Sequence, residues 1–103
     1  MNARNKNGNT PLHDASSTEV AMAVIDKGAD VNASNNDGNT PLHIALMNGH
    51  TAVAMAVIDK GADVNASNND GNTPLHIALM NGHTAVAMAV IDKGADVNAS
   101  NND

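Results

Sequence analysis

Residues 37–69 read DGNTPLHIALMNGHTAVAMAVIDKGADVNASNN, and residues 70–102 repeat this string letter for letter. Upstream of them lies a shorter relative of the same unit. Residues 9–13 match residues 39–43 at an offset of 30, and residues 20–37 match residues 53–70 at an offset of 33. Such self-similarity at a fixed period predicts a chain built from stacked copies of one supersecondary unit.

Each unit carries the signals of two short helices. Thr40 followed by Pro41 is typical of an N-cap and a first helical residue. Proline has no backbone N–H, and at the first helical position this group would have no intrahelical partner. The first helix then extends to Met47 and is stopped by Gly49, which tolerates a positive φ. The pattern predicts a second helix over about residues 51–59.

The segment between helix pairs is rich in Asn, Asp and Gly. The run Asn68-Asn69-Asp70-Gly71 predicts a tight turn, with Asp70-Gly71 at the tip of a hairpin-like loop. One helix pair cannot cover its own apolar stripe, so each unit must bury that stripe against the next. The residues therefore indicate a solenoid.

Two strings resemble the signatures of the ankyrin repeat family. Gly-x-Thr-Pro-Leu-His occurs at residues 8–13, 38–43 and 71–76, and Gly-Ala-Asp-Val-Asn-Ala at 28–33, 61–66 and 94–99. The resemblance implies an all-α ankyrin-repeat solenoid of three stacked helix–turn–helix repeats with projecting β-hairpin-like loops. We expect one array over residues 1–103, with a shortened repeat at about 4–36 and full repeats at 37–69 and 70–102.

The first repeat departs from the other two. Ser16 and Glu19 have the spacing of a capping box, which predicts Ser16 as the N-cap of a second helix running to about Lys27. The first helix would then be cut to one turn. Asp14 stands where the second repeat has Ile44, which suits a polar cap on the outermost unit.

The last repeat has no polar cap of its own, because residues 70–102 are identical to residues 37–69. Terminal repeats of solenoids usually carry a polar outer face. We therefore expect Ile77, Val90 and Ile91 to be exposed, and the chain to be a fragment, a built array or one that associates with itself at this end. Perfect identity favours recent duplication or design, and the sequence does not separate the two.

Composition excludes several classes of function. The chain has 11 acidic and 5 basic residues, a net charge of −6 and no cysteine. Lys27, Lys60 and Lys93 are 33 residues apart, so no basic patch is predicted and nucleic acid is not expected as a partner. No apolar run is long enough to cross a membrane, and the sequence predicts a soluble, intracellular protein.

Histidine and acidic residues are the candidates for chemical sites. His43 and His76 lie in successive repeats, too far apart to share a metal ion, so a structural hydrogen bond to Thr40 or the next turn is expected. The acidic turns lack the donors of a calcium loop. No nucleophile stands beside a base and no phosphate cradle is present, so we predict no enzymatic activity, cofactor or metal.

By resemblance to the family, a protein partner would contact the loop tips and the concave face of the first helices. The positions this implies are amide, acidic and methionine side chains: Asn36, Asp37, Asn39, Met47, Asn48, Asn69, Asp70, Asn72, Met80 and Asn81. Methionine at these positions suits either core filling or an adaptable contact surface. Because the predicted surface is acidic, we expect the partner to be basic.

Two functions remain open from the sequence. One is a protein–protein interaction module or scaffold. The other is a designed or truncated repeat array without a natural partner, serving as a structural or self-assembling scaffold. The resemblance also identifies the loop asparagines Asn32, Asn65 and Asn98 as candidate substrates of an asparaginyl hydroxylase.

Overall fold

A computed structural model describes residues 2–94 of the chain. Within this range it contains five α-helices and no β-strand, which confirms the all-α prediction. The helices are α1 (Thr18–Asp26), α2 (Pro41–Met47), α3 (Thr51–Asp59), α4 (Pro74–Met80) and α5 (Thr84–Asp92).

The helices of the full repeats begin where the sequence predicts. The Thr40 side chain accepts a hydrogen bond from the His43 backbone N–H, and the His43 side chain in turn accepts one from the Thr40 N–H. The same reciprocal cap opens α4 at Thr73. Gly49, with φ of 74°, ends the first helix of the second repeat, as expected.

In the first repeat the helical N-cap is Ser17, so the prediction of Ser16 is wrong by one residue. Hydrogen bonds from Asp14 N to Pro11 O and from Ala15 N to Leu12 O make the expected single turn and extend it to Ala15. Ser16 is then the link, and Ser17 accepts from the Val20 N–H at 3.3 Å. Glu19 lies in the first helical turn, where its charge favours the helix dipole, instead of closing a capping box.

The helices form two layers. The inner layer contains α2 and α4, and the outer layer contains α1, α3 and α5, with α2 packed on α3 and α4 packed on α5. Between them runs one continuous core that contains only aliphatic side chains. Its fully covered large members include Leu12, Leu42, Leu46, Val57, Val86 and Val90.

The last described repeat differs from the prediction at two positions. Ile77 and Val90 are only 3% and 0% exposed, so the expectation that they face solvent is wrong. Val90 is as completely buried as Val57, its counterpart in the second repeat, so this position belongs to the core and does not depend on a following repeat for its cover. Ile91 is exposed, as predicted, and so is Leu79.

Candidate protein-interaction groove

The projecting loops are built around one asparagine in each repeat. The side-chain oxygen of Asn68 accepts hydrogen bonds from the backbone N–H groups of Asp70 and Asn72, both at 3.0 Å. Asn35 makes the same pair of bonds in the second loop and Asn5 in the first. Each loop is therefore held in shape by its own side chain, as in an Asx turn.

Neighbouring loops are joined by a ladder of amide hydrogen bonds. The side-chain N–H of Asn68 donates to the side-chain oxygen of Asn39 at 2.9 Å. Asn69 donates its backbone N–H to Asp37 O at 3.0 Å and its side-chain N–H to Asn36 O at 3.1 Å. Because these contacts fix one loop on the previous one, the loop tips keep a constant register.

Buried histidines tie the first helical turns to the loops. In His43, Nδ1 accepts from the Thr40 N–H, so the ring proton lies on Nε2, which donates to Asn72 O at 2.9 Å. Burial lowers the pKa of His43 below its ordinary 6.5, although the bond to the Asn72 backbone opposes this shift. His13 bonds to Asn39 O in the same way, and burial also lowers its pKa. These bonds confirm the structural role expected of the Thr-Pro-Leu-His histidines.

Between the loops and the inner helices lies a groove of about 450 Å³, which we call the loop–helix groove. Its lining combines carboxylates, amides and apolar side chains: Asp37, Asn39, Met47, Asn68, Asn69, Asp70, Asn72, Ile77, Met80 and Asn81. No lysine, arginine or histidine contributes to this lining. The fixed charges of the groove are therefore negative only.

The structure brings together all the predicted contact residues except Asn36 and Asn48. Met47 and Met80 are 47% and 62% exposed, and Asp70 also faces solvent. Asn39 is only 6% exposed, and its side chain is bonded to Asn68. The carboxylates and thioethers of the groove are thus open to a partner, whereas Asn39 is not.

Several predicted amides serve the stack itself. The Asn36 side chain donates to Lys6 O, and the Asn81 side chain donates to Leu46 O at 3.3 Å, which joins the end of α4 to α2. Asn48 is exposed at the C-cap of α2, outside the groove lining. The sequence places these side chains near the groove, but it does not distinguish amides that form hydrogen bonds within the stack from amides that remain accessible to a partner.

Sequence reasoning misses two residues of the lining. It places Ile77 at the solvent-facing end of the array, whereas this side chain lines the groove. It treats Asn68 only as part of a turn. The occurrence of asparagine at the same position in all three loops is the signal that marks it as a structural element bordering the groove.

Other candidate sites have simpler roles. Within residues 2–94, no three His, Asp or Glu side chains are grouped so that they could hold a metal ion. The side-chain oxygen of Asp63 accepts from the Asn65 N–H, and Asn32 accepts from the Asp63 N–H, so these residues shape the loops that follow the outer helices. Asn98 lies outside the described residues. No helix among those described has the length and hydropathy to cross a membrane.

A family model of ankyrin repeats, three copies in length, matches residues 17–101. The match covers most of the chain, and the stacked helix pairs with projecting loops agree with it. The chain therefore belongs to the ankyrin repeat family. No curated protein matches it significantly.

Membership defines the general class of the molecule. Ankyrin repeats are generally protein–protein interaction modules and are typically not enzymes. The groove lining of this chain contains amides, two carboxylates and the apolar side chains of Met47, Ile77 and Met80.

Proposed function

We propose that this chain is a protein-binding module whose loop–helix groove holds a basic segment of its partner. The observation that carries this proposal is the charge of the groove: Asp37 and Asp70 lie in its lining, and no cationic side chain does. A lysine or arginine of a partner would meet these carboxylates without displacing an internal ion pair. Attraction of this kind favours fast and selective encounter more than high affinity.

The apolar part of the groove supports a polypeptide partner. Met47 and Met80 expose thioether chains beside the carboxylates and can adjust their rotamers to irregular aliphatic surface. The lining has no Tyr, Trp or Arg, the residues that dominate strong binding sites. The proposed affinity is therefore modest, and the whole array of residues 1–103 is proposed to act as one module.

A selection from a displayed library of random peptides tests the proposal. We expect peptides enriched in Lys and Arg, whose binding weakens as salt is raised because the interacting charges are exposed. Replacing Asp37 and Asp70 together by lysine should abolish binding of the selected peptides. Circular dichroism should show an unchanged fold, because the hydrogen bonds of these loop positions come from backbone atoms.

The matched control is Asp59→Lys with Asp92→Lys. These residues are exposed at the ends of α3 and α5, outside the groove, and the substitution changes the net charge by the same amount. The control variant should retain most of the binding. Equal loss in both double variants would show a bulk charge effect, and undiminished binding by the groove variant would contradict the proposal.

A second candidate function is a structural array without a partner, favoured by the identity of residues 37–69 and 70–102. Identical units offer a periodic surface, whereas a selected binding site usually differs along its length. For such an array, peptide selection should yield no binder that depends on the groove. Its stability should instead change by a constant increment for each internal copy of the unit added.

A further inference from the structure

The two identical repeats reveal a surface that is covered in one copy and uncovered in the other. Leu46 and Ile58 in the second repeat are 0% and 5% exposed, whereas the same residues of the third repeat, Leu79 and Ile91, are 62% and 38% exposed. Since the sequences do not differ, the difference arises only from position in the stack. In the second repeat these side chains are covered by the helix pair that follows.

The uncovered side chains form a shallow apolar patch, which we call the end face. It is lined by Ala78, Leu79, Gly82, His83, Thr84, Ala87, Met88 and Ile91. Its most exposed apolar members are Leu79 and Met88, at 62% and 56%. It contains no lysine, arginine or carboxylate, so two such faces can meet without opposing like charges, despite the net charge of −6.

The opposite end of the same chain is a poor cover for this face. In the third repeat, Ile77 is buried, but the matching residue of the first repeat is the exposed Asp14. Stacking the first repeat of another copy on the end face would bring this carboxylate to the position that Ile77 occupies in the third repeat, which is 3% exposed and lines the groove together with Asp37 and Asp70. Burying a charge without a partner is strongly unfavourable, so growth from head to tail is opposed.

We propose that the end face binds the end face of a second copy, giving a two-fold dimer. The arrangement covers Leu79, Met88 and Ile91 on both chains with apolar surface, as the following helix pair covers Leu46 and Ile58 within the stack. A two-fold contact is closed, so association stops at two chains. It leaves the loop–helix groove, which shares no lining residue with the end face, open for a partner.

Sedimentation equilibrium over a concentration series reaching the millimolar range tests this dimer. The mass should rise from the 10.5 kDa of one chain toward that of two, about 21 kDa, and go no higher. Leu79→Glu and Leu79→Lys should each remain monomeric, because the two-fold contact brings two like charges together. Their thermal midpoints should stay close to that of the unchanged chain, because Leu79 is largely exposed.

Mixing the Leu79→Glu and Leu79→Lys proteins gives the sharpest result. Only a contact between two end faces pairs their opposite charges, so the mixture should form dimers although neither variant does so alone. The control is Val20→Glu in the first repeat, where Val20 is 49% exposed; this change should leave dimerisation intact. A monomeric unchanged chain, a mass that grows beyond two chains, dimer loss on Val20→Glu, or a mixture that stays monomeric would each overturn the proposal.

Discussion

At the scale of single residues, the side chain of an asparagine at the base of a loop forms several hydrogen bonds at once. The Asn68 oxygen accepts two backbone bonds within its loop, while its N–H donates to Asn39 in the neighbouring loop. Aspartate, the side chain of the same length, would provide only the acceptor. The residue therefore couples the shape of one loop to its stacking on the next.

Asn68→Ala should lower the free energy of unfolding by about 1–3 kcal/mol, because two backbone donors lose their acceptor and one of them, the Asn72 N–H, is partly buried. Asn68→Asp should lower the free energy of unfolding by less than Asn68→Ala does, since it keeps both hydrogen bonds within the loop and removes only the donor to Asn39. Asn48→Ala is the control, because this side chain is exposed at a helix end and should change stability by less than about 0.5 kcal/mol. Urea denaturation measures all three, and a neutral Asn68→Ala would refute the role assigned here.

The buried histidines make stability depend on pH. Burial lowers the pKa of His43 and of His13 below the ordinary 6.5, so the unfolded chain binds protons at pH values where the folded chain does not. The stabilising contribution is therefore complete above about pH 6.5 and is lost as the pH falls below it. Protonation would also place a donor on Nδ1, opposite the Thr40 N–H.

We expect the urea midpoint to fall between about pH 7 and about pH 5, with a shallower fall in His43→Gln. Glutamine does not titrate, so the variant loses the share of the pH dependence that comes from this position, even though it is less stable at neutral pH. The remaining slope should reflect His13 in part. An equal slope in both proteins would show that the acid sensitivity arises elsewhere.

At the scale of helices and loops, local signals predict most boundaries correctly. Thr40-Pro41 and Gly49 mark the ends of α2 because their effects are confined to one turn. The start of α1 is missed by one residue because Ser16 and Ser17 are both good N-caps, and the choice depends on how far the preceding turn extends to Ala15. The extent of that turn has no local sequence signal.

Gly49 and Gly38 have similar φ values but different surroundings. Comparing substitutions at the two positions therefore distinguishes the cost of local backbone strain from the cost of disturbing a contact between repeats. Gly49 has φ of 74° and open space where a Cβ would lie, whereas a Cβ on Gly38, at φ of 78°, would lie 2.6 Å from the Asn69 side-chain oxygen and 2.9 Å from Asn69 N. Gly49→Ala should cost about 1–2 kcal/mol, the strain of a positive φ. Gly38→Ala should lower the free energy of unfolding further, because its Cβ would also displace Asn69 in the next loop.

Thermal denaturation of the two alanine variants measures this difference. Since the backbone strain is nearly the same in both, the excess loss in Gly38→Ala reports on stacking of the loops. Hydrogen exchange should show faster exchange at the Asn69 amide in Gly38→Ala only, because that amide bonds to Asp37 across the repeat boundary. Equal losses and equal exchange would mean that the loops do not depend on one another.

At the scale of the whole molecule, the period of 33 predicts the stack and the general place of the groove. It does not predict which apolar side chains face the next repeat. Ile77 and Leu79 are two residues apart on α4, and one is 3% and the other 62% exposed. Their exposures differ because Leu79 lies on the end face, which no following helix pair covers, whereas Ile77 lines the groove. A short helix with apolar residues on most of its faces does not encode in its pattern which of them faces the next repeat.

The stack also sets a spacing for any peptide held in the loop–helix groove, if the proposed function is correct. Stacked helices are about 8–10 Å apart, and Asp37 and Asp70 are equivalent positions of successive repeats. A polyproline II segment has three residues per turn and rises about 3.1 Å per residue, so its side chains at positions one and four lie about 9 Å apart on one face. Same-face side chains of a β-strand are about 7 Å apart and match the carboxylates less well.

We therefore expect the peptide Lys-Pro-Pro-Lys-Pro-Pro to bind more tightly than Lys-Pro-Lys-Pro-Pro-Pro, measured by calorimetry at low salt. The two peptides have the same composition, so a difference between them reflects spacing and not total charge. The preference should disappear in Asp70→Asn, because only one fixed carboxylate then remains in the groove lining. Equal affinity for both peptides, together with loss of binding in the Asp37→Lys and Asp70→Lys double variant, would keep the groove as the binding site but show that its carboxylates act independently of the repeat spacing.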